Sequence, residues 1–235
     1  MSARWPPWEP EVPWRAATAI LAKDLRLELR RVETIATMVV FAVLVALIFV
    51  FAGDPTSADL LRLGPGALWV SLLFAGALGF GRWFAAEERN QALQGLLVSP
   101  VDRAALFVGK WAGATIFLLA LECALVPATL TLYHLDLGAN LGRLALLLVV
   151  VTIGYTALGT FFAAVAAKTT AGELLLPILL FPLSVPLVLA GAEGGQALVE
   201  GGRMSDYWSW LSLAVAFDVI FGTVCTLAFE HVIEE

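Results

Sequence analysis

Long charge-poor runs alternate with short polar breaks along this 235-residue chain. Residues 34–53 carry no charge from Thr34 through Gly53, and about 20 apolar residues wound as an α-helix cross the hydrocarbon core of a bilayer. Runs of the same kind cover 66–85, 104–133, 144–167, 174–191 and 207–230. The pattern predicts an all-α integral membrane protein with six transmembrane helices, over residues 34–235. Asp54-Pro55 ends the first span, and a loop over 54–65 leads to Pro65-Gly66, which opens the second. Trp69 and Trp83 fall near the two ends of that second span and fit an interfacial aromatic belt. Pro177, Pro182 and Pro186 predict a broken or bent fifth span, because each proline removes an intrahelical hydrogen bond. Residues 192–206 read as a Gly-rich, acidic loop.

Two amphipathic stretches lie outside the spans. From Arg15 to Glu33, Leu21, Leu25 and Leu29 repeat at four-residue intervals, and Lys23, Arg26 and Arg30 line the opposite side. A basic face opposite an apolar one suits a helix lying in the membrane interface; a basic extension of the first spanning helix is the alternative. Residues 86–103 are polar at the start and interrupted by Pro100, so they connect two spans instead of crossing. As a helix, this connector sets Leu93, Leu96 and Leu97 apart from Glu87, Glu88, Gln91 and Gln94. Residues 1–14, with four prolines and three tryptophans, read as an extended, mobile tail.

Composition agrees with a bilayer environment. Hydrophobic residues make up 60% and charged residues 14%, where a soluble domain carries about 25% charge. Of 14 basic residues, six precede the first span, four lie around the 86–103 connector and one is Lys168. The positive-inside rule then puts both termini and the connector in the cytoplasm. Cys123 and Cys225 fall inside apolar runs and read as small buried packing residues. Nothing suggests nucleic-acid binding.

Catalytic chemistry does not stand out. Gly109-Lys110 is followed by Trp111 and lacks an upstream glycine, so it cannot cradle a phosphate. No metal-ligand spacing and no nucleophile–base pair appears. The chain reads as a non-catalytic subunit whose energy comes from a partner or a gradient. Glu122 and Asp218 sit near the middle of the third and sixth spans, where a carboxyl is costly and faces a protein interior or a wet cavity. Each reads either as a polar contact in a translocation path or subunit interface, or as a structural, hydrogen-bonded acid. Gly154 and Gly159 among Ala and Thr in the fourth span favour close helix contact. At the outer boundary, Trp208 and Trp210 could stack on a flat porphyrin and His134 could ligate haem iron. The plainer reading is an aromatic belt and a loop histidine.

Four segments carry a family likeness: KDLRLELRR (23–31), LRLGPGALWVSLLFAGALGFGRWF (61–84), LQGLLVSPVDRAALFVGKWAG (93–113) and LPILLFPLSVPLVLAGA (176–192). In this order and spacing they resemble the CcmB family, the haem-exporter permease subunit of cytochrome c maturation. The resemblance implies a permease subunit of an ABC-type complex in the bacterial cytoplasmic (inner) membrane. It implies a separate CcmA-type ATPase that binds ATP, CcmC- and CcmD-type membrane partners, and release of the haem-loaded periplasmic chaperone CcmE. A second transmembrane half, as another copy or a different subunit, is expected. The resemblance also implies that the connector docks on the ATPase, with Glu87, Glu88, Leu93, Gln94, Leu96 and Leu97 as coupling residues. The family often shows an acidic D-G-S-x-E run there, and this chain has Asn90-Gln91-Ala92-Leu93-Gln94 instead. The rival expectations are an ABC-2 permease for a lipid, glycan or drug, and an assembly subunit through which no haem passes.

Overall fold

The computed structural model describes residues 17–18, 20–23, 32–52, 59–89, 102–167, 169 and 172–234. They form six long helices: α1 Val32–Ala52, α2 Asp59–Arg89, α3 Arg103–Leu132, α4 Leu141–Ala167, α5 Gly172–Val199 and α6 Met204–Glu234. A short 3-10 turn, Gly138–Asn140, precedes α4. All six helices are long and apolar enough to cross a membrane. The 21 residues of α1 extend about 31 Å at about 1.5 Å per residue, close to the roughly 30 Å hydrocarbon thickness.

The bundle has an inner and an outer set of helices. In their apolar windows, 67% of the residues of α2 and of α4 are buried, against 17% in α1 and 22% in α6. The helix α4 packs against α2, α3, α5 and α6, whereas α1 touches mainly α2 and α3. Small residues permit this central position. A methyl group on Gly159 would lie 2.1 Å from the Phe80 ring of α2, so the α4 backbone and that ring occupy the space a side chain would need.

The helices alternate in direction, and contacts at the two ends fix the pairing. At one end, Arg103 at the start of α3 donates to the carbonyl of Glu230 near the end of α6, 3.3 Å. Residues 17–18 and 20–23 are helical, and Ala17 and Ile20 close over Gly109 of α3 at that same end. At the other end, Arg62 of α2 pairs with Glu200 just after α5, 3.2 Å. There Asn140 also donates to the Leu198 carbonyl, 3.1 Å, and the Tyr207 hydroxyl to the Arg143 carbonyl, 3.0 Å.

Three local expectations change. The second helix begins at Asp59, so Pro65 lies inside it, not at its opening. Leu60 and Ala67 bury against Ala46 and Tyr133 and hold the added turn in place. The fifth helix is not broken: it runs from Gly172 to Val199 through Pro177, Pro182 and Pro186. Neighbouring helices and a Ser184 hydroxyl donating to the Phe181 carbonyl, 3.0 Å, support the backbone there. The expected 192–206 loop shrinks: residues 192–199 continue this helix, and the turn to α6 is confined to 200–203, where Gly201 takes a left-handed φ of 63°. A side chain on Gly191 would meet the Trp69 indole at 2.2 Å, and one on Gly195 would meet Pro65 at 3.2 Å, so these glycines serve packing, not looping.

The third helix ends on His134, whose φ of 52° is left-handed. The Leu135 amide reaches back to the Leu130 carbonyl, 2.9 Å, and the His134 amide to that of Thr131, 3.4 Å. This is the Schellman pattern that usually has glycine at the left-handed position. Cys225 is buried as expected, but Cys123 is exposed on α3, because its position points away from α4 and the bundle interior.

Candidate functional site

Among the described residues, the buried polar side chains are shared between α4, α3, α2 and α5, and three of them are threonines of α4. Thr152, Thr156 and Thr160 recur at four-residue intervals and are all buried, so they share one stripe along the helix. Thr152 donates its hydroxyl hydrogen bond to Glu122 Oε1 of α3. Thr156 meets the Thr115 hydroxyl of α3 at 2.7 Å. One turn along, Trp111 Nε1 donates to the Ile153 carbonyl, 2.9 Å. On the α2 side, the Tyr155 hydroxyl donates to the Leu73 carbonyl, 2.5 Å. The helices α2, α3 and α4 are thus tied by side-chain hydrogen bonds inside an otherwise apolar bundle.

Glu122 is 3% exposed and Trp69 is 4% exposed, and both line one small cavity with Thr152, Tyr155 and Leu187. Glu122 Oε2 and Trp69 Nε1 are buried with no protein hydrogen-bond partner. Trp69 therefore does not sit in an interfacial belt. The extra turns at the start of α2 move it inward, and Gly191 of α5 lets the indole lie flat against that helix.

Asp218 approaches the same helix from α6. A methyl on Gly154 would fall 2.1 Å from Asp218 Oδ1, an oxygen that is buried with no protein hydrogen-bond partner. The Asp218 residue as a whole is half-buried, beside the exposed Val215, Val219 and Ile220. The structure does not pair the two acids. Thr152 and Gly154 are two residues apart, about 200° around an α-helix, so Glu122 and Asp218 contact different faces of α4.

The outer-end candidates also separate. His134 is exposed, and its neighbours Tyr133 and Leu135 pack toward α1 and α2: Tyr133 donates to the Ala46 carbonyl, 2.7 Å, and Leu135 covers Gly64. Trp208 is 53% exposed on the first turns of α6, edge-on to Tyr207. Trp210 lies against Gly194 of α5. The histidine and the two tryptophans share one end of the bundle but lie over different helices. Of the coupling residues, Glu87 and Glu88 belong to the last turn of α2, while Leu93, Gln94, Leu96 and Leu97 lie outside the described residues.

Sequence reasoning found the two acids but missed Trp69, Thr152 and Tyr155 as their surroundings. The threonine repeat on α4 was the available signal. A hydroxyl every fourth residue in an apolar helix marks a face directed at polar neighbours.

Six apolar helices around a hydrogen-bonded interior define a multi-pass membrane protein of the helical-bundle class. The sequence model of the family described as CcmB protein matches residues 15–235. The chain belongs to the CcmB family, and residues 1–14 stand outside the matched region. Its relatives include "Heme exporter protein B" of Bradyrhizobium diazoefficiens, 32% identical over 79% of this chain and 83% of the relative. The protein of the same name from Paracoccus denitrificans is 33% identical over 89% and 92%. That of Rhodobacter capsulatus is 34% identical over 78% and 84%.

Proposed function

We propose that this chain is the membrane subunit of a haem-handling export complex in cytochrome c maturation, driven by a separate ATPase. The observation that carries this reading is the match to proteins named heme exporter protein B over most of both chains. The sequence has no phosphate-cradling loop of its own, which agrees with ATP hydrolysis by a CcmA-type partner. The connector between α2 and α3 is the proposed docking element, and the basic residues around it put it in the cytoplasm with both termini. The ends of α2, α4 and α6 and the starts of α1, α3 and α5 then face the ATPase. Closure of the ATPase would push the connector, and the hydrogen-bonded α2–α3–α4 core would carry the movement outward as a rigid body.

The packed interior favours a particular version of this role. Three interior cavities each have room for about one water molecule, whereas a pocket for a drug-sized ligand occupies roughly 300–1,000 Å³. Haem would therefore be handled on an outer face or at a seam with a second transmembrane half, not through the middle of this bundle. Asp218, half-buried on α6, is the proposed polar contact at that seam; Glu122 is an internal tie. The same packing supports the second reading, an assembly subunit whose shape change releases the haem-loaded chaperone without haem crossing it.

Reconstitution of the chain with its ATPase and membrane partners tests both. Haem flux into vesicles that depends on ATP supports export, and ATP-dependent chaperone release without flux supports the assembly role. Leu96→Asp or Leu97→Asp should abolish stimulation of the ATPase while membrane insertion is retained. Unchanged ATP hydrolysis in both variants would remove the connector from the coupling route.

A further inference from the structure

Trp69 of α2 and Glu122 of α3 line one small cavity, and each carries a buried polar atom with no protein partner, the indole N–H and Oε2. The walls between them are largely apolar, with Leu72, Leu118, Val151 and Leu187 among them. An orphaned polar group in such surroundings costs about 1–3 kcal/mol, and within a membrane bundle no bulk water is at hand to relieve it. The two orphans are complementary in kind. Indole nitrogen is a donor only, and a carboxyl oxygen accepts. Tyr155 also lines the cavity; its hydroxyl hydrogen is committed to the Leu73 carbonyl, so the hydroxyl oxygen retains acceptor capacity.

We infer that one internal water molecule occupies this cavity, accepting from Trp69 Nε1 and donating to Glu122 Oε2 and the Tyr155 hydroxyl oxygen. The space suits a single water, and three polar partners match the usual requirement of about three for a buried water. A metal cation fits poorly, since the indole N–H would point its positive end at the ion. An anion would sit against the Glu122 carboxyl. The indole is closely packed against α5 at Gly191 and is 4% exposed, so a swing toward another acceptor would need its neighbours to move. The water therefore completes a polar chain, Trp69–water–Glu122–Thr152, that joins α2 through α3 to α4, and α2 and α4 are the two most buried helices of the bundle.

A structure of the full chain in lipid nanodiscs, at a resolution where waters are visible, tests this. We expect one density peak within hydrogen-bonding distance of both Trp69 Nε1 and Glu122 Oε2, and its loss in Trp69→Phe. Infrared spectra of the unmodified protein provide a second measurement that needs no variant. An O–H stretching band from the hydrogen-bonded internal water should shift when H₂¹⁶O is replaced by H₂¹⁸O. An empty cavity would overturn the inference, as would a direct Trp69–Glu122 hydrogen bond. A peak whose presence follows sodium, with thermal stability rising in sodium chloride over choline chloride, would assign the site to a cation instead.

Discussion

Gly159 offers the most direct test of how α4 reaches the centre of the bundle. A Cβ at this position would lie 2.1, 2.3 and 2.5 Å from three atoms of the Phe80 ring. Ordinary carbon contacts begin near 3.4 Å, so Gly159→Ala requires the ring or the helix to yield by about 1.3 Å, more than dense packing absorbs without strain. Phe80 is 4% exposed and its ring already packs on Tyr155 with centroids 5.6 Å apart, so it cannot simply rotate into free space. Overpacking of this kind costs about 1–3 kcal/mol, and it outweighs the roughly 0.5–1 kcal/mol that alanine gains over glycine in a helix interior. Gly142→Ala is the matched control, since nothing lies within 4 Å of its Cβ position on the same helix; it should be neutral or slightly stabilising. Thermal unfolding of the purified protein in detergent should show a melting temperature several degrees lower for Gly159→Ala, largely restored by Phe80→Leu in the double variant. If Gly159→Ala melts with the unmodified protein, or if Phe80→Leu fails to restore it, the close α2–α4 approach is not what holds the core.

Three further outcomes are expected. Thr152→Val should destabilise the bundle by about 0.6–1.7 kcal/mol, the range for membrane hydrogen bonds, because Glu122 then loses its protein donor; an unchanged unfolding midpoint on denaturant titration would argue that the bond has no weight. His134→Gly should stabilise by about 1 kcal/mol, since the left-handed φ of 52° penalises a side chain there. The same variant, titrated with haem, reports on the proposed ligand role, because binding that survives the loss of the imidazole excludes His134 as a ligand. Arg62→Ala should alter stability by less than about 1 kcal/mol, given that the Arg62 and Glu200 side chains are 67% and 43% exposed; a double-mutant cycle with Glu200→Ala measures the coupling.

Much of the fold was legible in the sequence because a bilayer imposes simple arithmetic. A charge-poor stretch of about 20 residues has few alternatives to a spanning helix, and each of the six runs became a helix long and apolar enough to span. Helix ends were harder to read. Pro65, Gly194 and Gly195 look like turn residues in isolation, yet all lie inside helices, where neighbouring side chains occupy the space that their small or ring-closed shapes leave. The candidate site was half legible. Glu122 and Asp218 stood out as acids in apolar runs, but their neighbours are a threonine, a tryptophan and a glycine with no individual signature.

By itself, then, the sequence determined that the chain forms six helices, each long and apolar enough to cross a membrane, with polar breaks between them. Those facts depend on residue type and on neighbours along the chain, quantities that hydropathy and charge record directly. Only the tertiary structure decided that α2 and α4 form the centre, that Trp69 turns inward to line one cavity with Glu122, and that the two acids contact different faces of α4. These outcomes depend on which helix faces meet. In a bundle of uniformly apolar helices, the choice is made by shape, through glycines that admit a ring or a carboxyl, and hydrophobic pattern carries no record of it.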